Sequence, residues 1–522
     1  MKNFLFRGII AICFAAMFFS QNAGADWETI SAGFDYQKFT EAGNTLVYVA
    51  RMLNGNQNYA FDTMIAGGYL KSANVSYGRE TVSGMVSRYN DGLNDYYWKT
   101  WGKRNDIIAA VNGDYWERES YPSGPYTGYP LGGQVQSGWF LRRYGGFSGG
   151  SGVFVNAWGV PKIGGDVWNG DNPAARQKIV FADSSEAIIT NINLPRGSED
   201  LIVYTRHNGP HTQTNNSGVE VVLELNNPSF PYAYGAPSNS CTGTIKEIRD
   251  GQGSTYIPYD QIVLSGSGSY ATTLRNKCVL GQTISIFLTI RDYGFNDRTP
   301  KHPAQDWTSC YGSIGCDREI LIDSQVTNLP KSDTLKRART AFAYNATYTF
   351  LVVVDEFMNN GSYGMNFQEL AEFCRDRLSA THAASVDGGG SSCMWIKGKG
   401  IVNVPSDGSE RATYNGMMFV NLLPATYSTA FSEGTPVTNN KGALLYLGPG
   451  TNFSFRASLP RGQTGTILSH MKNISSTESI NMNGVYAKGQ YWWKWSVNGM
   501  EGWTREDDLQ DITSIENWEI FN

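Results

Sequence analysis

Residues 366–394 read NFQELAEFCRDRLSATHAASVDGGGSSCM, and the first half of this stretch predicts an amphipathic helix. Between Phe367 and Leu378 the apolar side chains recur at i, i+3, i+4, i+7 and i+11, which places them on one helical face. Asn366 precedes Glu369 by three residues, a spacing that resembles a capping box. We therefore expect a helix that begins directly after Asn366.

The second half predicts a short strand and a glycine loop. Ala383–Val386 is apolar, and Asp387 lies at its end. Glycine has much backbone entropy to lose, so three in a row indicate a sharp turn or close contact with a ligand. Their N–H groups can form a concave site for an anion, and Ser391 and Ser392 add donors. A tight turn without a ligand is the alternative. The spacing lacks the lysine of a nucleotide P-loop.

Composition limits the possible classes of protein. The chain has 522 residues, enough for two or three domains, with 41% apolar and 17% charged residues, as in globular proteins. Its formal net charge of -5 gives no basic surface for nucleic acid. The 14 Trp and 29 Tyr suit sugar stacking as well as ordinary cores.

The N-terminus resembles a secretory signal peptide. Lys2 and Arg7 precede the apolar segment Gly8–Phe19, and Ala23–Ala25 has the small residues of a cleavage site. We expect residues 1–25 to be removed after Ala25 and the protein to be secreted, periplasmic or on the cell surface. No later segment has the roughly 20 apolar residues of a membrane span.

Cysteine usage favours disulfides over a metal site. Six of the seven cysteines follow the signal segment, an even number that allows 15 pairings, with Cys310–Cys316 the simplest. The chain has no CxxC, HxxxH or HExxH pattern, so zinc is not supported. We expect no cofactor, although Ca²⁺ or Mg²⁺ at Asp387 is an open alternative because both take oxygen ligands.

Strand patterns dominate the rest of the chain, which predicts an α+β, β-rich fold with few helices. The clearest runs of β-branched and aromatic residues are Asp106–Val111, Val219–Leu225, Ile284–Ile290 and Tyr348–Val354. A second candidate loop, NVPSDGSERATYN at residues 403–415, follows the glycine loop across a short strand at Met394–Ile396. The two loops are therefore expected to share a rim.

Four blocks in this order resemble the phosphodiester glycosidases related to the mannose 6-phosphate uncovering enzyme. They are AAVNGDYW (109–116, with Asp114 in place of a glycine), RARTAFAY (337–344) leading through LVVVDE (351–356) to GMNFQELAEF (364–373), ASVDGGGSSCM (384–394, with Cys393 in place of the usual Thr) and NVPSDGSER (403–411). An insertion at about 188–291, expected to be all-β, resembles a segment of bacterial secreted members. The resemblance implies a glycosidase domain over residues 26–426.

The implied reaction is hydrolysis of the sugar C1–O bond of a phosphodiester-linked sugar, typically N-acetylglucosamine, in a glycan or surface polysaccharide. A phosphate leaving group needs charge stabilisation more than a strong acid. The expected phosphate ligands are Gly388, Gly389, Gly390, Ser391 and Ser392, with Arg339 and Arg411 as guanidinium partners. Either arginine could instead pair with Asp387 or Glu410 and serve the structure only.

The expected catalytic pair is Asp387 and Glu410, because glycoside cleavage usually employs two carboxyl groups. Asp407 could replace Glu410, and which acid plays which role is open, as is retention or inversion. Asn112 and Gly113 would bind sugar hydroxyls, with Ser406 and Asp407 at the rim. His207, His211 and Glu220 are interpreted first as surface-loop and strand residues rather than as site residues.

The C-terminal residues differ in pattern. LGPGTNF (447–453) and WWKWSVNGMEGW (492–503) resemble a bacterial SH3-like β-barrel, which we place at residues 440–522 after a boundary near 427–440. Asn498-Gly499 predicts a two-residue hairpin. Such domains bind cell-wall ligands, but the tryptophans could equally fill the barrel core.

Two further functions remain open at the level of sequence. One is a non-catalytic envelope protein that binds phosphoglycans or the cell wall, and the other is a glycoside hydrolase for neutral sugars.

Overall fold

The computed structural model describes residues 26–70, 79–94, 102–116, 129–142, 152–156, 159–164, 177–225, 240–288, 310–327, 334–357, 361–470 and 484–513. The expected signal segment lies outside these residues. Within them the chain forms several sheets and three α-helices, which confirms the predicted β-rich α+β class. None of the described helices has the length and apolar character needed to cross a membrane.

The helices are α1 (Val82–Tyr89), α2 (Ser269–Lys277) and α3 (Phe367–Leu378). The strands before residue 200 are β1 (Glu28–Ser31), β2 (Phe34–Glu41), β3 (Thr45–Leu53), β4 (Tyr59–Ile65), β5 (Arg104–Asn112), β6 (Gln134–Gln136), β7 (Trp139–Arg142), β8 (Gly152–Asn156), β9 (Pro161–Ile163), β10 (Lys178–Val180), β11 (Glu186–Ile188) and β12 (Asn191–Ile192). The next strands are β13 (Leu201–Tyr204), β14 (Val219–Leu225), β15 (Ser240–Asp250), β16 (Gln261–Gly266), β17 (Thr283–Phe287), β18 (Cys310–Gly315), β19 (Arg318–Ile322), β20 (Gln325–Val326), β21 (Arg339–Tyr344), β22 (Tyr348–Val354) and β23 (Glu356–Phe357). The last strands are β24 (Ser362–Tyr363), β25 (His382–Ser385), β26 (Met394–Ile396), β27 (Gly400–Ile401), β28 (Asn415–Leu423), β29 (Tyr427–Ser428), β30 (Pro436–Asn439), β31 (Ala443–Tyr446), β32 (Phe455–Leu459), β33 (Thr464–Ile467), β34 (Gly484–Ala487), β35 (Gln490–Val497), β36 (Met500–Arg505) and β37 (Leu509–Asp511).

The central layer is an eight-stranded sheet in the order β1-β2-β3-β22-β21-β25-β19-β20. Alternate residues of β22 point to opposite faces, and both faces are covered. Val352 and Val354 belong to the apolar cluster that includes the buried face of α3, whereas Leu351 and Val353 pack toward a five-stranded sheet, β27-β26-β5-β28-β4. This double burial explains the uninterrupted apolar run in β22.

Several predicted elements have the bounds that the sequence indicates. Helix α3 begins after Asn366, and the capping box with Glu369 is present in both directions. Strands β14, β22 and β26 match their predicted ranges, and the Asn498-Gly499 turn joins β35 to β36 with positive φ at both residues. The strand before Asp387 runs over His382–Ser385, one residue earlier than predicted. Positions 289 and 290 of the predicted strand Ile284–Ile290 lie outside the described residues.

The predicted insertion forms most of a separate eight-stranded sheet, β11-β10-β17-β15-β14-β16-β13-β12. The segment also contains α2, so the expectation of an all-β insertion is wrong. Glu220 in β14 is fully buried and accepts hydrogen bonds from Thr212, Thr214 and Ser265, which is the structural role expected first for this residue.

The C-terminal strands form their own sheet, ordered β32-β31-β36-β35-β33-β30-β37, with β29 and β34 attached to β35. Whether this sheet is the SH3-like barrel stays a prediction. Its four largest buried side chains are tryptophans, which favours their role in the core: Trp492, Trp493, Trp495 and Trp503.

The C-terminal sheet packs on the insertion through a buried ion pair. Lys494 Nζ in β35 lies 3.2 and 3.1 Å from the two carboxylate oxygens of Asp260, and these side chains are 6% and 8% exposed. The ring centroids of Tyr259 and Trp503 are 5.5 Å apart. Burial opposes both charges, but each partner stabilises the other, so the pKa of Lys494 is raised and that of Asp260 is lowered.

The predicted Cys310–Cys316 disulfide is wrong. The structure has no disulfide among the six described cysteines, all of which are buried. Cys310 begins β18 and Cys316 follows the end of this strand. Six residues along an extended strand span about 20 Å, whereas disulfide-bonded Cα atoms lie within about 7 Å.

We predict that Lys494→Met destabilises the protein by about 3–5 kcal/mol, because it leaves the Asp260 carboxylate buried without its cation. The midpoint and slope of urea unfolding measure the change. Lys277→Met is the matched control, since Lys277 and its partner Asp183 are 38% and 50% exposed. Its expected cost is below about 1 kcal/mol. Equal losses for the two variants would contradict this role of the buried pair.

Candidate functional site

The ends of two sheets meet at Asp387. Strand β5 of the five-stranded sheet ends at Asn112, and β25 of the central sheet ends two residues before Asp387. The Asp387 N–H donates to the Gly113 carbonyl at 3.1 Å, and Asn112 Nδ2 donates to the Asp387 carbonyl at 2.7 Å. These two bonds fix the backbone of Asp387, a residue that is 7% exposed.

The Asn112 side chain, which is fully buried, also holds the loop that comes after Asp387. Its Oδ1 accepts from Thr340 Oγ1 at 2.8 Å and from the Cys393 N–H at 3.2 Å. Thr340 Oγ1 also lies 3.1 Å from Ser392 Oγ. One carboxamide thus binds three groups around the loop, and these contacts favour a positioning role for Asn112 over contact with a sugar.

Gly113 has no room for a side chain. A Cβ there would lie 2.5 Å from Asn415 Oδ1 and 2.5 Å from Ile314 Cδ1. The Gly113 N–H donates to the Asn415 carbonyl at 3.1 Å. The residue therefore lets three strands approach one another beside Asp387.

The glycine loop differs from the expected continuous row of amides. The N–H of Gly389 donates to Ala338 O at 2.8 Å, and those of Ser391 and Ser392 donate to carbonyls within the loop. Among the described residues, the N–H groups of Gly388 and Gly390 have no backbone or side-chain acceptor. The expected anion site therefore reduces to these two amides, because a one-turn 3-10 helix at residues 389–391 uses the others.

The two predicted loops share a rim, as expected. Arg411 Nε and Nη2 each bind Asp407 Oδ2 at 2.7 Å, and Arg411 Nη1 lies 3.4 Å from Ser391 Oγ. A Cβ on Gly390 would collide with both members of this ion pair. Arg411 and Ser406 are partly exposed at the same rim, whereas Ser391 and Ser392 are buried.

Glu410 lies in the same loop but makes different contacts. Its carboxylate accepts the Ser83 N–H at 3.0 Å and the Ser83 hydroxyl at 2.7 Å, in the first turn of α1. A negative charge is favourable there because of the unpaired amides of the helix terminus. The carboxylate also contacts the Cys393 thiol, and burial together with this charge raises the pKa of Cys393.

Arg339 is fixed by its contacts at the start of β21. Its Nε donates to Met365 O at 3.1 Å and its Nη2 to Leu335 O at 3.0 Å. The guanidinium stacks on the Phe367 ring at 3.9 Å. These contacts hold its charge close enough to Tyr115 to oppose the rise in the pKa of that phenol.

Tyr115 and Asp317 lie at the site but were not predicted from the sequence. Burial, then the charges of Asp317 and Asp387, raise the pKa of the Tyr115 phenol. The Asp317 N–H donates to Ser385 O at 2.8 Å, which places it two positions from Asp387 across the β19–β25 pair. Asp317 has a 25% exposed side chain and pairs with Arg318. The sequence signal that could have identified Asp317 is its position at a strand end, which it shares with Asp387.

Asp114, the residue that departs from the family pattern, is almost fully buried at 1% exposure. Its two oxygens accept the N–H groups of Tyr115 at 2.7 Å and Gly132 at 2.6 Å. Burial, opposed by these bonds, raises its pKa to about 7, and the charge of Asp387 adds to the increase. The Asp114 carboxyl therefore keeps its proton up to near neutral pH, next to the Asp387 carboxylate that follows the end of β25.

The candidate site has few side chains that could bind a metal ion. Within the described residues, no group of three or more His, Cys, Asp or Glu side chains is arranged to hold one. A cation at Asp387 would need main-chain or solvent oxygens for most of its ligands.

The glycine loop, Asp387, Arg339 and the 403–411 loop all fall within one family match. Residues 287–420 match the phosphodiester glycosidase family model. Asn112–Asp114 precede the matched range, so the candidate site joins the matched region to a strand outside it. The match suggests a glycosidase-type function.

Comparison with solved structures gives distant similarity. A hypothetical protein from Synechocystis has 14% identity and a TM-score of 0.47, covering 75% of this chain and 62% of that one. A protein from Burkholderia pseudomallei K96243, described as exported, has 18% identity and a TM-score of 0.47, covering 73% and 74%. The catalytic domain of zebrafish N-acetylglucosamine-1-phosphodiester alpha-N-acetylglucosaminidase, auto-inhibited by its pro-peptide, has 12% identity and a TM-score of 0.32, covering 76% and 86%. No curated protein gives a significant match.

We predict that Asp114→Asn flattens the pH dependence of stability. The unfolded chain ionises this carboxyl near 3.8, whereas the folded chain keeps its proton up to about 7. Its favourable contribution is therefore complete below pH 3.8 and is lost as pH rises toward 7. Relative to the variant, the wild-type free energy of unfolding should fall by about 2–4 kcal/mol between pH 4 and 8.

The quantity to compare is the slope of the free energy of unfolding against pH. The side-chain amide of the variant cannot accept both N–H bonds, so it lowers the free energy of unfolding by an amount that does not change with pH. Asp507→Asn, at an exposed residue of the C-terminal segment, is the control and should leave the profile unchanged. Parallel profiles for wild type and Asp114→Asn would overturn the assignment.

Proposed function

We propose that this protein is a secreted hydrolase that cleaves the C1–O bond of a sugar linked through a phosphodiester, of the N-acetylglucosamine-1-phosphate type. The supporting observation is the position of Asp387, a carboxylate fixed at a strand end between a glycine loop and an arginine-bearing rim. The phosphodiester glycosidase match covers this loop. A phosphate-containing glycan or surface polysaccharide is the proposed substrate class.

The phosphate binds at the rim in this proposal. The Gly388 and Gly390 N–H groups donate hydrogen bonds to the phosphate. The Arg411 guanidinium supplies positive charge, and for this one of its contacts with Asp407 is replaced by a contact with the phosphate. The departing phosphate monoester is stabilised by these groups, so no strong acid is required. Ser391 is a positioning residue, because it is buried and contacts Arg411.

Asp387 acts on the sugar side. It accepts the proton of the attacking water, or stabilises the oxocarbenium-like carbon, while the C1–O bond breaks and the bonding pair leaves with the phosphate. We propose Asp317 as the second carboxylate, since it is partly exposed and its charge reaches the same phenol, Tyr115, as that of Asp387, where both raise the pKa. Glu410 is the alternative, and its contacts with Ser83 favour a structural role.

We predict that Asp387→Asn lowers kcat by roughly 10²–10⁴-fold while binding of the glycosyl phosphate is retained, because the lost carboxylate acts on the reacting carbon and not on the phosphate. Release of free sugar from a panel of sugar-1-phosphate diesters measures turnover, and calorimetry measures binding. Asp317→Asn should cause a comparable loss. Glu410→Gln should lower the Tm and leave kcat nearly unchanged.

The panel also separates the competing functions. A folded wild-type protein that binds the diesters without releasing sugar supports a phosphoglycan-binding envelope protein and refutes the enzyme. Hydrolysis of matched neutral glycosides at an equal rate supports an ordinary glycoside hydrolase. Full activity in Asp387→Asn would refute the proposed role of this carboxylate.

A further inference from the structure

A small, partly open space lies where three sheets meet, apart from the glycine loop. This junction cavity has a volume of about 30 Å³. Gln136 lines it from β6, Arg206 and His207 line it from the segment after β13, and Asn452 and Phe453 line it from the turn between β31 and β32. A water molecule needs roughly 10–15 Å³, so the space holds one or two particles of that size.

Two polar side chains of the cavity wall lack protein partners for one atom each. His207 Nδ1 and Asn452 Oδ1 are buried and have no hydrogen-bond partner within the described part of the chain. These residues are only 7% and 8% exposed. The interpretation of His207 as a surface residue is therefore wrong. Since an unsatisfied buried polar atom costs about 1–3 kcal/mol, both atoms indicate something that occupies the cavity.

The wall also carries a positive charge. The Arg206 guanidinium is stacked 4.1 Å from the Trp139 ring and 4.4 Å from the Tyr259 ring, and its Nη1 donates to Tyr259 O at 2.9 Å. Among the described residues, no carboxylate lines the cavity. The neighbouring Asp260 carboxylate is bound by Lys494. The cavity therefore favours a negative occupant over a positive one.

We propose that the junction cavity binds one small inorganic anion of the halide class, such as chloride. The Arg206 guanidinium supplies charge, the neutral His207 ring donates from Nδ1, and the Asn452 side chain turns its amide nitrogen toward the ion, an orientation related by an amide flip to the one described. Burial lowers the pKa of His207 well below its usual value, so its donor comes from the tautomer and not from protonation. The ion stabilises the junction of the three sheets, independently of the proposed glycosidase activity.

Thermal unfolding of the purified protein tests this proposal. Sodium chloride is titrated against sodium gluconate at constant ionic strength, because gluconate is too large for the cavity. We expect a saturable rise in Tm of about 2 °C with chloride. Arg206→Met should abolish the chloride-dependent rise in Tm, including when the substitution also changes the Tm measured in gluconate. Arg51→Met is the matched control and should keep it, since Arg51 is also stacked on two aromatic rings but lies in the central sheet.

Anomalous diffraction from crystals grown in bromide needs no variant. A bromide peak in the cavity, within contact distance of His207 and Asn452, supports the proposal. Ordered water without an anomalous peak refutes it, as does a Tm that is equal in chloride and gluconate.

Discussion

The buried carboxamide of Asn112 is the contact on which the candidate site depends. It bonds to the Asp387 carbonyl, to the Thr340 hydroxyl and to the Cys393 amide, so one side chain joins the end of β5 to both ends of the glycine loop. Buried polar networks of this kind are stable only when every member is satisfied. The orientation of the Asp387 backbone therefore follows from a residue 275 positions earlier in the chain.

Close packing extends this constraint to the rim. The absence of a side chain at Gly390 lets the Asp407–Arg411 ion pair approach the loop, and the absence of one at Gly113 lets β5 approach β28. The glycines thus act at specific contacts, in addition to making a flexible turn. Asn403 adds a further tie, because its side chain binds Ser392 O at 3.1 Å and Met394 N at 2.8 Å.

Features set by neighbours in sequence could be predicted well. Helix α3 has the predicted bounds because its cap and its apolar face are both encoded in one short stretch, from Asn366 to Leu378. The position of the glycine loop could also be predicted, since a carboxylate and glycines follow a strand directly. The contact partners of the loop residues could not be predicted. Glu410 binds Ser83, 327 positions away, and the Gly389 amide binds Ala338, so their roles depend on packing that no local pattern contains. The same holds for His207, whose polar loop sequence becomes the wall of a buried cavity.

We propose that a phosphate binds at the rim while the sugar carbon faces Asp387. A crystal structure with a non-hydrolysable sugar-1-phosphonate ester tests this most directly. We expect phosphonate oxygens within hydrogen-bond distance of the Gly388 or Gly390 N–H and of the Arg411 guanidinium, with C1 next to the Asp387 carboxylate. An analogue bound elsewhere, or bound at the rim with its sugar turned away from Asp387, would contradict the claim.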